Sequence, residues 1–142
     1  RSRREKQALA IALLDIDHFK KVNDEYGHQC GDDCLVAFSK TLKEIIKRPG
    51  DLLSRYGGEE FVILLPNTSL DGAVKLLETF RLAIESLVVK TQGHSIKFTV
   101  SVGVTSRVIG SDDDTDKMLS YADKLLYQAK KAGRNQIKSG SF

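Results

Sequence analysis

Leu52–Leu65 reads LLSRYGGEEFVILL, and this stretch decides how the chain folds. Two short apolar runs, Leu52–Tyr56 and Phe61–Leu65, have the length and composition of strands. Between them stand Gly57 and Gly58, which suit a tight turn because glycine adopts positive φ without a steric penalty. The stretch therefore predicts an antiparallel hairpin whose turn lets a ligand approach the backbone closely.

Two carboxylates, Glu59 and Glu60, follow this turn, and a second acidic pair lies far away in the sequence. Asp15 and Asp17 come at the end of Ala8–Leu14, an apolar run typical of a buried central strand. Charge at a buried strand end is costly unless a cation or hydrogen bonds compensate it. If the two strands are neighbours, Asp15 and Glu59 can share a hard cation such as Mg²⁺. Taken alone, a carboxylate beside a turn is usually only a solvated surface charge.

The rest of the chain alternates between helical and strand patterns. Steps of three and four between apolar residues predict three helices: one after Gly31 that stops at Pro49-Gly50, one from about Leu70 to Val88, and one that begins at Asp114 or Thr115. Period-two alternation predicts a strand over Ile96–Val104, and Asn135–Ile137 is a short candidate strand. Gly133 stands where a helix end favours positive φ, and Thr68 or Ser69 can cap the second helix. Five strands with three or four helices indicate an α+β fold.

Composition limits the function classes. The 142 residues suit one domain, and a net charge of +3 is too small to predict binding to DNA or RNA. No apolar run is long enough to span a bilayer. We expect residues 1–142 to be one cytoplasmic domain cut from a longer protein, whose sensor and any membrane anchor lie outside this sequence. Cys30 and Cys34 are expected to be reduced thiols, since no second Cys/His pair has zinc-site spacing.

Arg55–Phe61 resembles the signature of the GGDEF diguanylate cyclases, in the variant with glutamate at the third position. Further segments match that family in the same order: Leu14–Lys21, Asn23–His28, Gly31-Asp32, Ser101–Val104, Tyr121–Asp123 and Tyr127–Asn135. The resemblance covers nearly the whole chain from about Leu9. It implies a palm-like nucleotidyl cyclase fold, in which helices flank a mostly antiparallel central sheet of about five strands.

The resemblance also implies a role for each matched residue. Asp15, the Ile16 carbonyl and Glu59 would hold Mg²⁺, for which Mn²⁺ can substitute; Glu59 would help to deprotonate the attacking 3′-hydroxyl, and Glu60 would support the metal site. Asn23, His28 and Asp32 would line the guanine pocket, and Gly57 and Gly58 would lie against the substrate. Lys20 would neutralise the α-phosphate, while Lys130 and Arg134, one helical turn apart, would bind the β- and γ-phosphates.

The implied reaction joins two GTP molecules into cyclic di-GMP and releases two pyrophosphates. One domain presents one GTP pocket, so two copies would have to meet as a homodimer. Arg48 and Asp51 have the Arg-x-x-Asp form of the family's product-inhibition site, where cyclic di-GMP binds; a helix stop followed by a surface turn is the alternative. Other matched residues also have explanations that need no function. The helix macrodipole favours Lys130 and Arg134 near a helix C-terminus, Asn23 is a common turn residue, and Asp32 is a common residue at a helix start.

Two rival functions belong to other classes. A domain of this family that has lost catalysis would only bind GTP or cyclic di-GMP, although every matched catalytic position is filled here. A structural interaction domain would not respond to GTP at all. A mixed cyclic GMP–AMP product is disfavoured by Asp32, because a carboxylate accepts from the N1–H of guanine and adenine has none.

Overall fold

The structure, a computed structural model, describes residues 7–46, 52–57, 59–108 and 115–142, with 52–57 described by their backbone alone. The strands are β1 (Ala8–Ile16), β2 (Leu52–Gly57), β3 (Glu60–Pro66), β4 (Val89–Thr91), β5 (His94–Ile96), β6 (Val100–Val108) and β7 (Ile137–Gly140). The helices are α1 (Phe19–Tyr26), α2 (His28–Ile45), α3 (Leu70–Ser86) and α4 (Thr115–Lys131). In this part of the chain, no helix is both long enough and apolar enough to cross a membrane.

The central sheet has five strands in the order β2-β3-β1-β6-β7. β1 lies in the middle and pairs antiparallel with both β3 and β6, whereas β6 and β7 run parallel. Because helices cover both of its faces, β1 reads as the continuous apolar run seen in the sequence. The predicted α+β architecture, with a mostly antiparallel sheet flanked by helices, is confirmed.

The two faces of the sheet bury different residues. The even-numbered positions of β1, from Ala10 to Ile16, join a core that α2 and α3 complete. At its centre lies Phe38 of α2, whose ring is 4.7 Å from that of Phe61 and 5.1 Å from that of Phe80, measured between ring centroids. On the opposite face, Leu13 packs against α4. The sheet is therefore a middle layer, with α4 against one face near β1.

Gly103 of β6 determines how closely α4 approaches the sheet. A Cβ atom built at Gly103 would overlap the backbone of Ala122, Leu125 and Leu126 in that helix. The helix backbone thus occupies the space that any other side chain would fill.

The predicted strand over Ile96–Val104 is wrong in its first part. Gln92 and Gly93 both have positive φ, 50° and 79°, which are the signs of a two-residue type I′ turn. They join β4 to β5 in a separate two-stranded sheet, and Ile96 ends β5. The alternating pattern continues to β6 because the intervening Phe98 is also buried.

Helix boundaries differ from the prediction by a few residues. α2 begins at His28 rather than after Gly31, and α3 ends at Ser86. Ser69 is the N-cap of α3, and its hydroxyl oxygen accepts a hydrogen bond from the N–H of Gly72. The predicted stop at Pro49-Gly50 lies outside the described residues.

Cys30 and Cys34 are buried free thiols in α2, in agreement with the expectation of reduced cysteines. Burial raises the pKa of the Cys34 thiol to about 11, so it stays protonated at neutral pH.

Candidate active site

The hairpin and the end of β1 meet as the sequence predicts. Asp15 lies directly opposite Glu60 in the β1–β3 register, and the Ile16 N–H donates to the Glu59 carbonyl over 3.2 Å. Both glutamates are half-buried. Asp15, Glu59 and Glu60 therefore lie together at one end of the neighbouring strands β1 and β3.

Asp15 has an unusual environment for a carboxylate. Only 3% of the residue is exposed, and its Oδ2 forms an ion pair with Lys130 Nζ. Its Oδ1 is buried and has no hydrogen-bond partner within the described ranges. Burial raises the pKa of Asp15 to about 6; Lys130 opposes this rise, while Glu59 and Glu60 add to it.

This environment fits a divalent cation. Asp15 Oδ1 has no partner among the described residues, and Glu59 and Glu60 add negative charge near it, so a cation bound at this oxygen would be stabilised. Oxygen atoms are the ligands that Mg²⁺ accepts. Within the described residues, no group of three or more His, Cys, Asp or Glu side chains is arranged to hold a metal by itself. The predicted set of two carboxylates and a carbonyl would thus need ligands from substrate or water, as Mg²⁺ sites usually do.

A cleft of about 170 Å³ opens at this end of β1. Ile16 and side chains of both charges line it, the charged ones being Asp15, Asp17, Glu59, Lys20, Lys130 and Arg134. The predicted metal ligands and the predicted phosphate-binding cations therefore share one cavity. Lys20 lies at its mouth in an exposed ion pair with Asp24, 2.9 Å between Nζ and Oδ2. Such a pair contributes less than about 1 kcal/mol, so an incoming phosphate can displace Asp24.

Lys130 and Arg134 line the cleft for a different reason than the predicted one. α4 ends at Lys131, so the two residues do not share a helical face. The Gly133 N–H donates to the Lys130 carbonyl and the Arg134 N–H to the Ala129 carbonyl, which is a Schellman motif. Gly133 has φ 121°, as the sequence predicts for a helix end, and Arg134 follows at φ 63°. A turn, rather than a helix, therefore orients Arg134.

The predicted guanine-reading residues lie at the junction of α1 and α2. A Cβ on Gly31 would overlap Asn23 Oδ1, so this glycine makes room for the Asn23 side chain. His28 and Asp32 are exposed and lie one turn apart on α2. Asp32 also lines a cavity of about 970 Å³ beside α2, whereas Asn23 and His28 do not.

Some of the predicted site residues lie outside the residues that the structure describes. Gly57 is the last residue of β2 and pairs with Glu60 next to an irregularity in the register. Gly58, Arg48 and Asp51 are not among the described residues, so the turn apex and the Arg-x-x-Asp pair stay predictions.

Residues 1–136 match the protein-family model described as "Diguanylate cyclase, GGDEF domain". The chain belongs to this family. Among curated relatives, GGDEF-family proteins named as diguanylate cyclases share about two fifths of the aligned residues. DgcM of Escherichia coli K12 is 44% identical over 131 residues, which is 92% of this chain and 30% of that protein. DgcP of Pseudomonas aeruginosa is 40% identical over 129 residues, 91% of this chain and 19% of that protein. The chain thus spans less than a third of these relatives.

Solved GGDEF structures have the same fold. The active GGEEF domain of a diguanylate cyclase from Vibrio cholerae is 34% identical with a TM-score of 0.87, covering 98% of this chain and 86% of that one. The GGDEF domain of DgcB from Caulobacter crescentus, in complex with c-di-GMP, is 30% identical with a TM-score of 0.89, covering 97% and 81%. Diguanylate cyclase SiaD of Pseudomonas aeruginosa, in complex with its activator SiaC, is 38% identical with a TM-score of 0.90, covering 99% and 53%.

In this GGDEF domain, Asp17 has a role that the sequence alone did not reveal. Its carboxylate accepts hydrogen bonds from the Thr99 hydroxyl (2.7 Å), the Ser101 hydroxyl (2.6 Å) and the Asn135 N–H (3.0 Å). A cation or hydrogen bonds can compensate a buried carboxylate, and hydrogen bonds compensate Asp17. The donors come from two distant segments, which local sequence patterns do not connect.

Proposed function

We propose that this domain catalyses the condensation of two GTP molecules into cyclic di-GMP with release of two pyrophosphates. The observation that supports this most directly is the shared cleft, where the unpartnered Asp15 oxygen and Glu59 lie beside Lys130 and Arg134. Carboxylates for a cation next to cations for phosphates are the combination that nucleotidyl transfer requires. The names of the curated relatives point to the same reaction.

Asp15, the Ile16 carbonyl and Glu59 would hold Mg²⁺ or Mn²⁺, which when bound neutralises charge at the α-phosphate and acidifies the attacking hydroxyl. Glu59 would then accept the proton of the 3′-hydroxyl, because its half-buried carboxylate lines the cleft. Glu60, opposite Asp15 across the strand pair, adds negative charge that favours the cation.

The triphosphate would bind through three cations of the same cleft. Lys130 forms an ion pair with Asp15 in the structure, so we propose that it leaves Asp15 for the β- and γ-phosphates when substrate and cation arrive. Arg134 would add bidentate hydrogen bonds to the same phosphates. Lys20, at the mouth of the cleft, would neutralise the α-phosphate.

Guanine selection would depend on Asp32, Asn23 and His28 near the α1–α2 junction. The Asp32 carboxylate is exposed and available to accept from the N1–H and amino group of guanine. Adenine lacks that N1–H and would leave the carboxylate without a donor, which is the strong form of nucleotide discrimination. Gly57 and Gly58 would allow the hairpin backbone to approach the same substrate.

The reaction further requires a second copy of the domain. Each copy holds one GTP in this scheme, so the attacking 3′-hydroxyl must come from the partner, and a homodimer is the catalytic unit. We also propose product inhibition through Arg48 and Asp51, whose guanidinium and carboxylate suit the edge of a guanine base. Control by a sensor elsewhere in a longer protein fits the small share of the relatives' length that this chain spans.

The test is incubation of concentrated protein with GTP and Mg²⁺ or Mn²⁺, followed by identification of the product. Cyclic di-GMP is expected from the parent protein, and Glu59→Gln should reduce its formation to background, because the amide neither accepts the proton nor binds the cation well. Glu25→Gln, an exposed change on α1, is the matched control and should keep the parent rate. An active Glu59→Gln variant would contradict the metal assignment.

Other outcomes separate the rival functions. Protein that binds GTP or cyclic di-GMP without turnover would be a receptor. Protein whose thermal stability does not respond to GTP would be a structural interaction domain. Loss of product inhibition in Arg48→Ala, with turnover retained, would support the inhibitory role of the Arg-x-x-Asp pair.

A further inference from the structure

Asn135 lies immediately after Arg134, and each of its polar groups has a partner. Its N–H donates to Asp17 Oδ2 over 3.0 Å, and its side-chain Nδ2 donates to Glu85 Oε2 over 2.7 Å. Its Oδ1 and its backbone carbonyl both accept from Arg81 Nη1, over 2.9 and 3.4 Å. We call Asp17, Arg81, Glu85 and Asn135 the Asn135 cluster.

Arg81 is held in place by carboxylates of its own helix. Its side chain is 14% exposed, and it makes two hydrogen bonds of 2.8 and 2.6 Å to the carboxylate of Glu78, one turn earlier on α3. Glu85, one turn later, lies 3.9 Å from its Nη1. The hydrogen bond from Arg81 lowers the pKa of Glu78, which keeps the pair ionised. Carboxylates of its own helix therefore fix the guanidinium, leaving Nη1 directed at Asn135.

The backbone next to this cluster has a conformation that needs support. Arg134 and Asn135 both lie in the left-handed region, with φ of 63° and 48°. Asparagine tolerates this region, but arginine is disfavoured there because its Cβ comes too close to the following carbonyl oxygen. Such residues persist only where their surroundings hold them in place. The contacts of Asn135 with Asp17 and Arg81 supply this constraint from two sides.

We propose that Arg81 is a positioning residue for the triphosphate: through Asn135 it holds Arg134 in the turn that directs its guanidinium into the cleft. The proposal rests on the proposed function, in which Arg134 binds the β- and γ-phosphates. Arg81 itself is not among the residues that line the cleft. Without its hydrogen bonds, the turn would relax toward ordinary backbone angles and Arg134 would move away from the phosphates.

The alternative is that the cluster only stabilises the fold, since it joins α3 to the segment before β7. A structural role would weaken all nucleotide binding to a similar extent, through partial unfolding. A positioning role would weaken only ligands that reach Arg134. GTP and GMP distinguish the two, because GMP keeps the guanine and α-phosphate but lacks the β- and γ-phosphates.

The experiment measures GTP and GMP dissociation constants by calorimetry in Mg²⁺ buffer for the parent, Arg81→Met and Asn135→Ala. We expect GTP affinity to fall about tenfold in each variant, the equivalent of about 1.4 kcal/mol, while GMP affinity stays at the parent value. Lys75→Met, which removes an exposed cation from the same helix, should change neither. Equal losses for both nucleotides, or no loss for GTP, would overturn the proposal.

The double variant tests whether Arg81 acts through Asn135. If it does, Arg81→Met combined with Asn135→Ala should lose no more GTP affinity than the larger single loss, whereas additive losses would show independent effects and refute the route. Asn135→Ala leaves the Arg81–Glu78 pair intact, so it provides the result even if Arg81→Met folds poorly. Parent protein that binds no GTP would overturn the proposed function together with this inference; normal GTP binding in the variants would overturn the inference alone.

Discussion

Asp15 and Asp17 stand two residues apart at the end of the same strand, and both are almost completely buried, with 3% and 4% of their surface exposed. Asp17 accepts hydrogen bonds from three donors. Asp15 has one cationic partner, Lys130, and an oxygen with no partner in the described structure. The two carboxylates are therefore almost equally buried, but both oxygens of Asp17 accept hydrogen bonds, whereas Asp15 Oδ1 has no partner in the described structure.

The difference separates a carboxylate whose hydrogen-bonding capacity the protein fills from one that has an oxygen left for a ligand. A satisfied buried carboxylate joins segments and stabilises the protein, as Asp17 does with β6 and Asn135. Asp15, a buried carboxylate with a raised pKa and one oxygen left over by Lys130, is the residue that we propose as a ligand of the divalent cation. The comparison predicts that the two residues will respond differently to the same substitution.

The largest effect is expected for Asp15→Asn. Turnover of GTP should fall on the order of 10³-fold, because the amide cannot replace the carboxylate as a metal ligand. Stability should not fall: the raised pKa means that ionised Asp15 opposes folding above its unfolded pKa, and asparagine removes that charge. Product formation and urea unfolding in Mg²⁺-free buffer measure the two quantities. Asp116→Asn, an exposed change in α4, is the control. A large loss of stability in Asp15→Asn would show that the Asp15 carboxylate stabilises the fold as Asp17 does.

Asp17→Asn should show the reverse pattern. The amide accepts fewer hydrogen bonds than the carboxylate, so the free energy of unfolding should fall by about 2–3 kcal/mol. Asp17 lines the cleft and holds Asn135, but it is neither a metal ligand nor a phosphate ligand in our scheme, so turnover at saturating GTP should stay within about tenfold of the parent. Denaturant unfolding with steady-state kinetics tests this. A variant as stable as the parent but inactive would place Asp17 in the chemistry and remove the distinction.

The smallest effect is expected for Ser101→Ala, which removes one of the three donors to Asp17. The loss should be about 1 kcal/mol of unfolding free energy with unchanged turnover. Thr105→Val is the matched control on the same strand, because the buried Thr105 hydroxyl has no partner in the described part of the chain. Its replacement should be neutral or stabilising. Equal destabilisation by both changes would mean that packing, rather than the hydrogen bond to Asp17, is responsible.

Much of the fold could be predicted because the decisive signals are local. The glycine pair between two apolar runs predicted the β2–β3 hairpin, and the position of Gly133 predicted a positive φ at the end of α4. The Gln92-Gly93 turn escaped notice, and so did the break between β5 and β6, since Ile96, Phe98 and Val100 alternate with less buried residues across that break. Period alone does not show where one strand stops and the next begins.

The candidate site could be predicted only in part. The sequence paired Asp15 with Glu59 on the condition that their two strands are neighbours, and β1 and β3 are indeed adjacent. The ion pair of Asp15 with Lys130 and the hydrogen bonds of Arg81 to Asn135 join segments distant in sequence, and no local pattern encodes them. The signal that was available for Arg81 is its position on α3 between Glu78 and Glu85, at one turn on either side.

Because Gly103 has no side chain, it affects the chemistry of the site as well as the packing of α4. It fixes the height at which α4 rests on the sheet, and the far end of that helix carries Lys130. A single methyl group at this interior position would raise the helix and lengthen the reach from Lys130 to Asp15. Since misplacement by about 1 Å can cost a hundredfold in rate, the strength of catalysis can be adjusted from the middle of a strand, without altering any residue of the cleft.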